Sequence, residues 1–268
     1  MIPYSRQFIN SSDILEVKKV LKSNYLTTGP TIEKFENYLK KKFKAKYCLV
    51  VNSATNALHL SCLSLNFKKN DILWTSPITF VSSVNCGLYC KGRFDLIDID
   101  ITTFNISLDK LEKKIKKTKK KPKLIIPVHL GGNPIDLKRL KKLSNIYKFK
   151  ILEDASHAGG SKINENPIGS CKYSDISVFS FHPVKPFTTG EGGAIFTNNR
   201  KIYQKIKILR NQGIDKKHKS IKSNFIKPWH YDVVDLGYNY RMTDIQAALG
   251  ISQLSRIEKF TKKRNKIA

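Results

Sequence analysis

One lysine and one aspartate in this sequence stand where an apolar run gives out. Lys185 follows the β-branched and aromatic run Ile176-Ser177-Val178-Phe179-Ser180-Phe181, in the string His182-Pro183-Val184-Lys185-Pro186. The two prolines restrict the backbone around it. The string Phe187-Thr188-Thr189-Gly190-Glu191-Gly192-Gly193 then turns the chain into another apolar run. A lysine held at the edge of a sheet loses solvation, which favours the free amine and suits a Schiff-base nucleophile. A lysine in a surface loop is the ordinary alternative. Asp154 closes Ile151-Leu152-Glu153-Asp154 and is followed by Ala155-Ser156-His157-Ala158. A carboxylate ending a buried strand calls for a cationic or hydrogen-bonding partner. It could equally cap the next turn.

Two further stretches carry binding rather than reactive chemistry. Asn52-Ser53-Ala54-Thr55-Asn56-Ala57-Leu58 places small and hydroxylated residues at the opening of a helix. Free N–H groups and the positive dipole end there suit a phosphate, though Ser53 also reads as a plain N-cap. Pro77-Ile78-Thr79-Phe80 puts an aromatic ring after another apolar run. That ring could stack on a planar ligand or belong to the core. Neither Gly-x-Gly-x-x-Gly nor a Walker-type lysine occurs, so dinucleotide and ATP motifs do not compete.

The elements that must position these residues follow from hydrophobic period. Helical patterns run near 12–22, 31–43, 55–65, 79–90, 107–116, 136–147, 200–210 and 243–255. Between them lie seven strand-like runs: Tyr47–Val51, Ile72–Thr75, Phe94–Ile97, Leu124–Val128, Phe149–Leu152, Ile176–Phe181 and Ala194–Thr197. The alternation predicts an α/β fold with a mostly parallel seven-stranded sheet and helices on both faces. The tight Gly-rich link between the last two runs predicts an antiparallel step. Residues 213–235 are polar and aperiodic and predict a long loop. Open α/β sheets bind ligands at the carboxyl ends of their strands, where all four stretches fall. Together they are the parts that pyridoxal 5′-phosphate (PLP) needs: a phosphate seat, a stacking ring, an acid for the pyridine nitrogen and a lysine for the aldehyde.

Composition narrows the alternatives. The formal charge of +28 raises nucleic-acid binding. The excess is mostly lysine spread along the chain, however, and the densest run, 113–123, has no interleaved aromatics. A solvated surface, and neither nucleic acid nor membrane as partner, is the expectation. No run has the ~18 apolar residues of a membrane span, and the polar N-terminus lacks a secretory signal, which together predict a cytoplasmic protein. Five irregularly spaced cysteines without Cys-x-x-Cys predict buried free thiols and no metal site.

Several strings then carry a family resemblance. They are Leu26-Thr27-Thr28-Gly29-Pro30, Asn52–Leu58, Glu153–Ala158, Ser180–Gly193 and Gly237-Tyr238-Asn239-Tyr240-Arg241-Met242, continuing as Thr243-Asp244-Ile245-Gln246-Ala247-Ala248-Leu249-Gly250. They resemble the fold-type I sugar aminotransferases of the DegT/DnrJ/EryC/StrS family, from residue 2 to the last residue. The resemblance implies a PLP-dependent transferase large domain over 1–255. Residues 256–268 would open the helix to a C-terminal small domain that is absent, making the chain a fragment. It implies transfer of an amino group from L-glutamate to a nucleotide-linked keto sugar. Ala-Ser-His-Ala with His-Pro-Val-Lys-Pro looks most like the pseudaminic acid branch, which acts at C4 of a UDP-4-keto-6-deoxy-N-acetylhexosamine. The alternatives are a different keto-sugar nucleotide (a dTDP-sugar, or reaction at C3) and a truncated non-catalytic relative.

The resemblance also implies roles. Lys185 binds the cofactor aldehyde and later moves a proton. Asp154 pairs with the pyridine nitrogen and His157 reaches the phenolic oxygen. Phe80 stacks on the ring. Ser180, Ala54 and Thr55 hold the phosphate, with Ala54 where many relatives have glycine. Asn239 reaches the cofactor phosphate of the other subunit of a homodimer. Thr28, Gly29, Tyr4 and Arg6 line the sugar-nucleotide side.

Overall fold

The computed structural model describes residues 6–215 and 229–267. In chain order the first elements are α1 (Ser11–Leu21), α2 (Pro30–Phe43), β1 (Tyr47–Val51), α3 (Ala54–Ser64), β2 (Ile72–Thr75), α4 (Ser82–Tyr89) and β3 (Arg93–Leu96). Next come α5 (Leu108–Lys117), β4 (Leu124–Ile126), α6 (Leu137–Tyr147), β5 (Lys150–Asp154) and the hairpin of β6 (Lys162–Ile163) with β7 (Asn166–Pro167). Then follow β8 (Ile176–Ser180), β9 (Gly193–Thr197), α7 (Arg200–Leu209), the short ladder of β10 (Ile214–Asp215) with β11 (Asp232–Val233), α8 (Asp244–Leu254) and α9 (Ile257–Ile267).

Seven of these strands make one sheet in the order β1-β9-β8-β5-β4-β2-β3. The pairs β8–β5, β5–β4, β4–β2 and β2–β3 are parallel. β9 runs antiparallel to both β1 and β8, as the short Gly-rich link requires. Side chains alternate between the faces, and each face feeds its own core. Val50, Ile125, Ile151, Phe179, Ala194 and Phe196 join one cluster with α2, α5, α6 and α8. Leu49, Val51, Leu124, Leu152, Val178 and Ile195 join the other with α3, α4 and α7. All five cysteines are buried and free.

Some expectations shift. The helix expected from 79 begins at Ser82, leaving Thr79–Val81 as a loop that caps it from Val81. The third strand lies one residue early, at Arg93–Leu96, and Ile97 is buried just beyond it. As the edge strand, β3 has one neighbour, and all four of its residues are exposed. The double cover of the sheet therefore thins at this edge. β4 stops at Ile126 because Pro127 has no N–H for the ladder. The loop expected over 213–235 fails at both ends, where Ile214–Asp215 pairs with Asp232–Val233. Its middle, 216–228, lies outside the described residues. The β6–β7 hairpin had no sequence signal strong enough to expect it.

Within the lysine-rich run, Lys114 pairs with Asp95, Lys116 with Glu112 and Lys123 with Asp71. Two-residue turns at Ser255–Arg256 separate α8 from α9, and Arg256 binds Asp13 of α1 at 2.6 Å. Among the described residues no helix is long and apolar enough to cross a membrane, and no group of His, Cys, Asp or Glu could hold a metal ion.

Candidate active site

Asp154 ends β5 and is 4% exposed. Its Oδ1 accepts the Ser156 N–H at 3.2 Å and the Ser156 hydroxyl at 2.6 Å. Its Oδ2 accepts the hydroxyl of the fully buried Ser83 at 2.6 Å. A carboxylate offers about four acceptor positions. Three are filled, and one remains on Oδ2. A single further donor, such as a protonated ring nitrogen, completes the set.

Beneath Asp154, on the opposite face of β5, Glu153 is buried with its own partners. The Ile135 N–H donates to His129 Nδ1 at 3.3 Å, so His129 carries its proton on Nε2 and gives it to Glu153 Oε2 at 2.9 Å. Ser174 donates to the other oxygen of Glu153. The His129 N–H also bonds the Asp154 carbonyl at 3.2 Å. The carboxyl ends of β4 and β5 are thus locked together directly under the acid.

Lys185 lies on the turn after β8, its N–H bonded to the His182 carbonyl at 2.9 Å. Its own carbonyl accepts from Arg264 of α9 at 3.0 Å. Partial burial pushes the Lys185 pKa down, against a smaller upward pull from Asp154. Burial likewise lowers the His157 pKa, helped by the Lys185 charge and opposed by Asp154. The three groups therefore share one electrostatic site. The Gly131 N–H donates to His157 Nδ1 at 3.2 Å. That bond leaves the imidazole proton on Nε2, which makes Nε2 a donor.

The phosphate side is built by α3, β8 and β9. Ser53 caps α3 by accepting the Asn56 N–H, leaving the amides of Ala54 and Thr55 in the unbonded first turn. Ser180 pairs with Gly193 across the β8–β9 ladder. A Cβ at Gly193 would lie 2.8 Å from the Ala54 nitrogen, so only glycine lets the strand edge reach the helix start. Thr55 Oγ1 meets Ser82 Oγ at 2.7 Å, which ties α3 to α4. Phe80, just ahead of α4, is 71% exposed. The expected N-terminal cradle, Ser180 and the ring-bearing loop thus border one another.

Other residues expected at the site sit farther out. Asn239 is exposed next to the start of α3, its carbonyl 3.5 Å from Asn52 Nδ2. Thr28 is exposed with φ 59, and the Gly29 N–H donates to Asp244 at the start of α8 at 2.7 Å. The same helix start reaches the Lys185 turn, where Gln246 donates to the Glu191 carbonyl at 2.8 Å. Arg6, with Phe8, Phe187, Lys185 and Arg264, lines a cavity of about 200 Å³. Tyr4 lies outside the described residues. A larger cavity of about 520 Å³ lies among α2, α9 and the β6–β7 hairpin, and none of Asp154, His157 and Lys185 lines it.

Sequence reasoning passed over Ser83, Ser156, Ser82 and Gly131. The hydroxyl residues Thr79, Ser82 and Ser83, which follow a strand as Ser53 and Thr55 do, were the available signal. Nothing in sequence said which carboxylate Ser83 would meet.

With this geometry in hand, likeness to known proteins is specific. Residues 7–268 match the DegT/DnrJ/EryC1/StrS aminotransferase family. The UDP-4-amino-4,6-dideoxy-N-acetyl-beta-L-altrosamine transaminase of Campylobacter jejuni is 40% identical over 267 residues, covering 100% of this chain and 68% of that protein. The solved structure of Helicobacter pylori PseC, an aminotransferase of pseudaminic acid biosynthesis, superposes with a TM-score of 0.85 at 33% identity, covering 96% of this chain and 66% of that one. A sugar aminotransferase from Streptococcus pneumoniae, Spr1654, in its PMP-form, gives a TM-score of 0.88 at 31% identity, covering 100% of this chain and 70% of that one. This chain spans about two thirds of the length of these relatives.

Proposed function

From the premise that this chain belongs to the DegT/DnrJ/EryC1/StrS aminotransferase family, we propose that it transfers an amino group from L-glutamate to a nucleotide-linked keto sugar, with PLP as cofactor. The sugar is a UDP-4-keto-6-deoxy-N-acetylhexosamine aminated at C4, a step toward pseudaminic acid or a surface polysaccharide. The observation that carries the proposal is the shared site of Lys185, Asp154 and His157 at the carboxyl edge of β5 and β8.

Bound there, PLP supplies an aldehyde that condenses with amines and a ring that withdraws electrons once its nitrogen is protonated. Asp154 offers its remaining Oδ2 position to that nitrogen. His157, neutral and protonated on Nε2, donates to the phenolic oxygen. Lys185 presents a free amine in larger proportion at neutral pH than a solvated lysine does, since its pKa is depressed. The same amine would also serve to hold and pass the proton at the reacting carbon of the amine donor or sugar. The Ala54 and Thr55 amides and the Ser180 hydroxyl receive the phosphate, and Phe80 covers a ring face. Thr28, Gly29, Arg6 and Tyr4 serve the sugar-nucleotide side.

The enzyme acts in the cytoplasm as a homodimer. Leu88, Tyr89, Val233, Val234 and Leu236 are exposed apolar residues. Tyr89 and Tyr238 both pack on His59, which brings these segments to one face beside Asn239. That face suits a second copy, with Asn239 reaching the partner's phosphate. Residues 1–255 form the cofactor-holding unit, and α9 packs back against it, with Arg264 on the Lys185 carbonyl.

The test is direct. Purified protein with PLP should be yellow, borohydride should fix the colour to the chain, and L-glutamate should bleach it. Lys185→Ala should take up no reducible colour. A reducible adduct in that variant would remove the lysine from its role. A panel of UDP-, dTDP- and GDP-linked keto sugars then separates the substrates.

A further inference from the structure

Thr79, Ser83 and Asp154 form a line of two hydroxyls ending on a carboxylate. Ser83 Oγ lies 2.6 Å from Asp154 Oδ2 and 2.8 Å from Thr79 Oγ1. A carboxylate only accepts, so the one proton of Ser83 goes to Asp154. Thr79 therefore gives its proton to Ser83 or to the Phe80 carbonyl, 3.3 Å away.

We propose that Ser83 is a positioning residue for the amination: it fixes the plane of the Asp154 carboxylate against the ring nitrogen of the cofactor, and Thr79 ties that grip to the loop bearing Phe80. This rests on the function proposed above.

The need for Ser83 follows from the softness of an aspartate side chain. The last torsion of aspartate has broad wells, so one held oxygen does not fix the carboxylate plane. Ser156 holds Oδ1 from only two residues away, on the same loop. Ser83 holds Oδ2 from another element, 71 residues away in sequence. Two oxygens held from two elements define a plane, and the open acceptor position on Oδ2 then points one way. α4 has a second duty in its neighbouring residue, because Ser82 bonds Thr55 at the phosphate-binding helix start. Adjacent serines on one helical turn thus connect the two ends of the cofactor site. Site geometry held by rigid elements in this way is what sharp orientation requires.

Loss of the grip has a spectroscopic signature. A ring nitrogen held protonated disfavours a second proton on the conjugated lysine nitrogen. If Asp154 turns away, the ring nitrogen loses its proton more easily, and the yellow chromophore gains its proton at higher pH.

The experiment compares wild type, Ser83→Ala, Ser83→Thr and Thr79→Val. Each apoprotein is titrated with PLP. The pH midpoint of the bound chromophore and the thermal unfolding of the apoprotein are then recorded. Ser83→Ala should weaken PLP binding by roughly ten- to a hundredfold, the size of one hydrogen bond to a charged group. It should also raise the chromophore midpoint. Thr79→Val should move the midpoint the same way by less, and Ser83→Thr should restore it. A Ser83→Ala protein that unfolds earlier but keeps the wild-type midpoint would show a merely structural serine and overturn the proposal. If Ser83→Ala does not fold, Thr79→Val decides, and an unmoved midpoint there overturns the coupling to the Phe80 loop. A wild type that forms no chromophore brings down the functional proposal itself, which the other outcomes leave standing.

Discussion

Gly193 at the head of β9 lies against Ala54 at the head of α3, with room at residue 193 for a hydrogen and nothing larger. The contact is backbone to backbone, so no side-chain rearrangement can relieve it. Gly193→Ala should push β9 from α3, costing about 1–3 kcal/mol in apoprotein stability by overpacking, and should lower PLP affinity at least about tenfold. Urea unfolding and a PLP titration measure both. Unchanged affinity would mean the phosphate does not sit at this junction.

Lys185 should make the apoprotein's stability depend on pH at the alkaline end. Burial depresses its folded-state pKa below the ordinary 10.5. The unfolded chain then binds more protons than the folded one, so stability rises with pH toward that value. Lys185→Met should unfold at higher temperature than wild type near pH 7, and the gap should close as pH approaches 10.5. Thermal melts of the two apoproteins across that range test the sign.

His157 should do the same nearer neutrality. Its folded pKa lies below 6.5 because burial disfavours the imidazolium. Its contribution is intact above pH 6.5 and is lost as pH falls toward the folded value. His157→Asn should flatten that acid limb. A wild-type curve with no change of slope there would put the imidazole in solvent.

Asp154→Asn keeps one acceptor oxygen for Ser156 but turns the other, which Ser83 and the ring nitrogen need, into an NH2 donor, and it removes the charge. Bleaching by L-glutamate should slow by about a hundredfold or more, as expected from losing a buried charge interaction of about 3 kcal/mol. The yellow adduct should still form, because Lys185 is untouched. Stopped-flow absorbance separates the two effects.

His129→Leu leaves the carboxylate of Glu153 buried with one donor fewer. The cost should be about 3–5 kcal/mol, the range for stranding one partner of a buried polar pair. Glu153→Gln should cost less, since His129 can still donate to the amide oxygen. Denaturant unfolding of both variants ranks them.

Much of the fold was legible because period and punctuation are local. Short apolar runs marked β1, β5 and β8, and Ser53, Ser107, Asn199 and Thr243 cap their helices as their side chains dictate. The misjudged start of α4 is equally instructive. Thr79 and Phe80 continue the apolar pattern of the helix, but Thr79 spends its hydroxyl on Ser83 and Phe80 turns outward. Periodicity cannot register a hydroxyl's distant partner.

What the sequence by itself determined was a set of local facts: where strands give way to loops, which helix starts are open to a phosphate, and that an aspartate closes one apolar strand while a lysine follows another. Side-chain chemistry and spacing suffice for those. Only the tertiary structure decided that β5 and β8 are neighbours, that β9 sits between β8 and β1, that Ser83 meets Asp154, and that Gly131 sets the proton on His157. Each of these joins residues far apart along the chain. A sequence pattern assigns a side chain to a face of its element, and packing alone selects what stands opposite it.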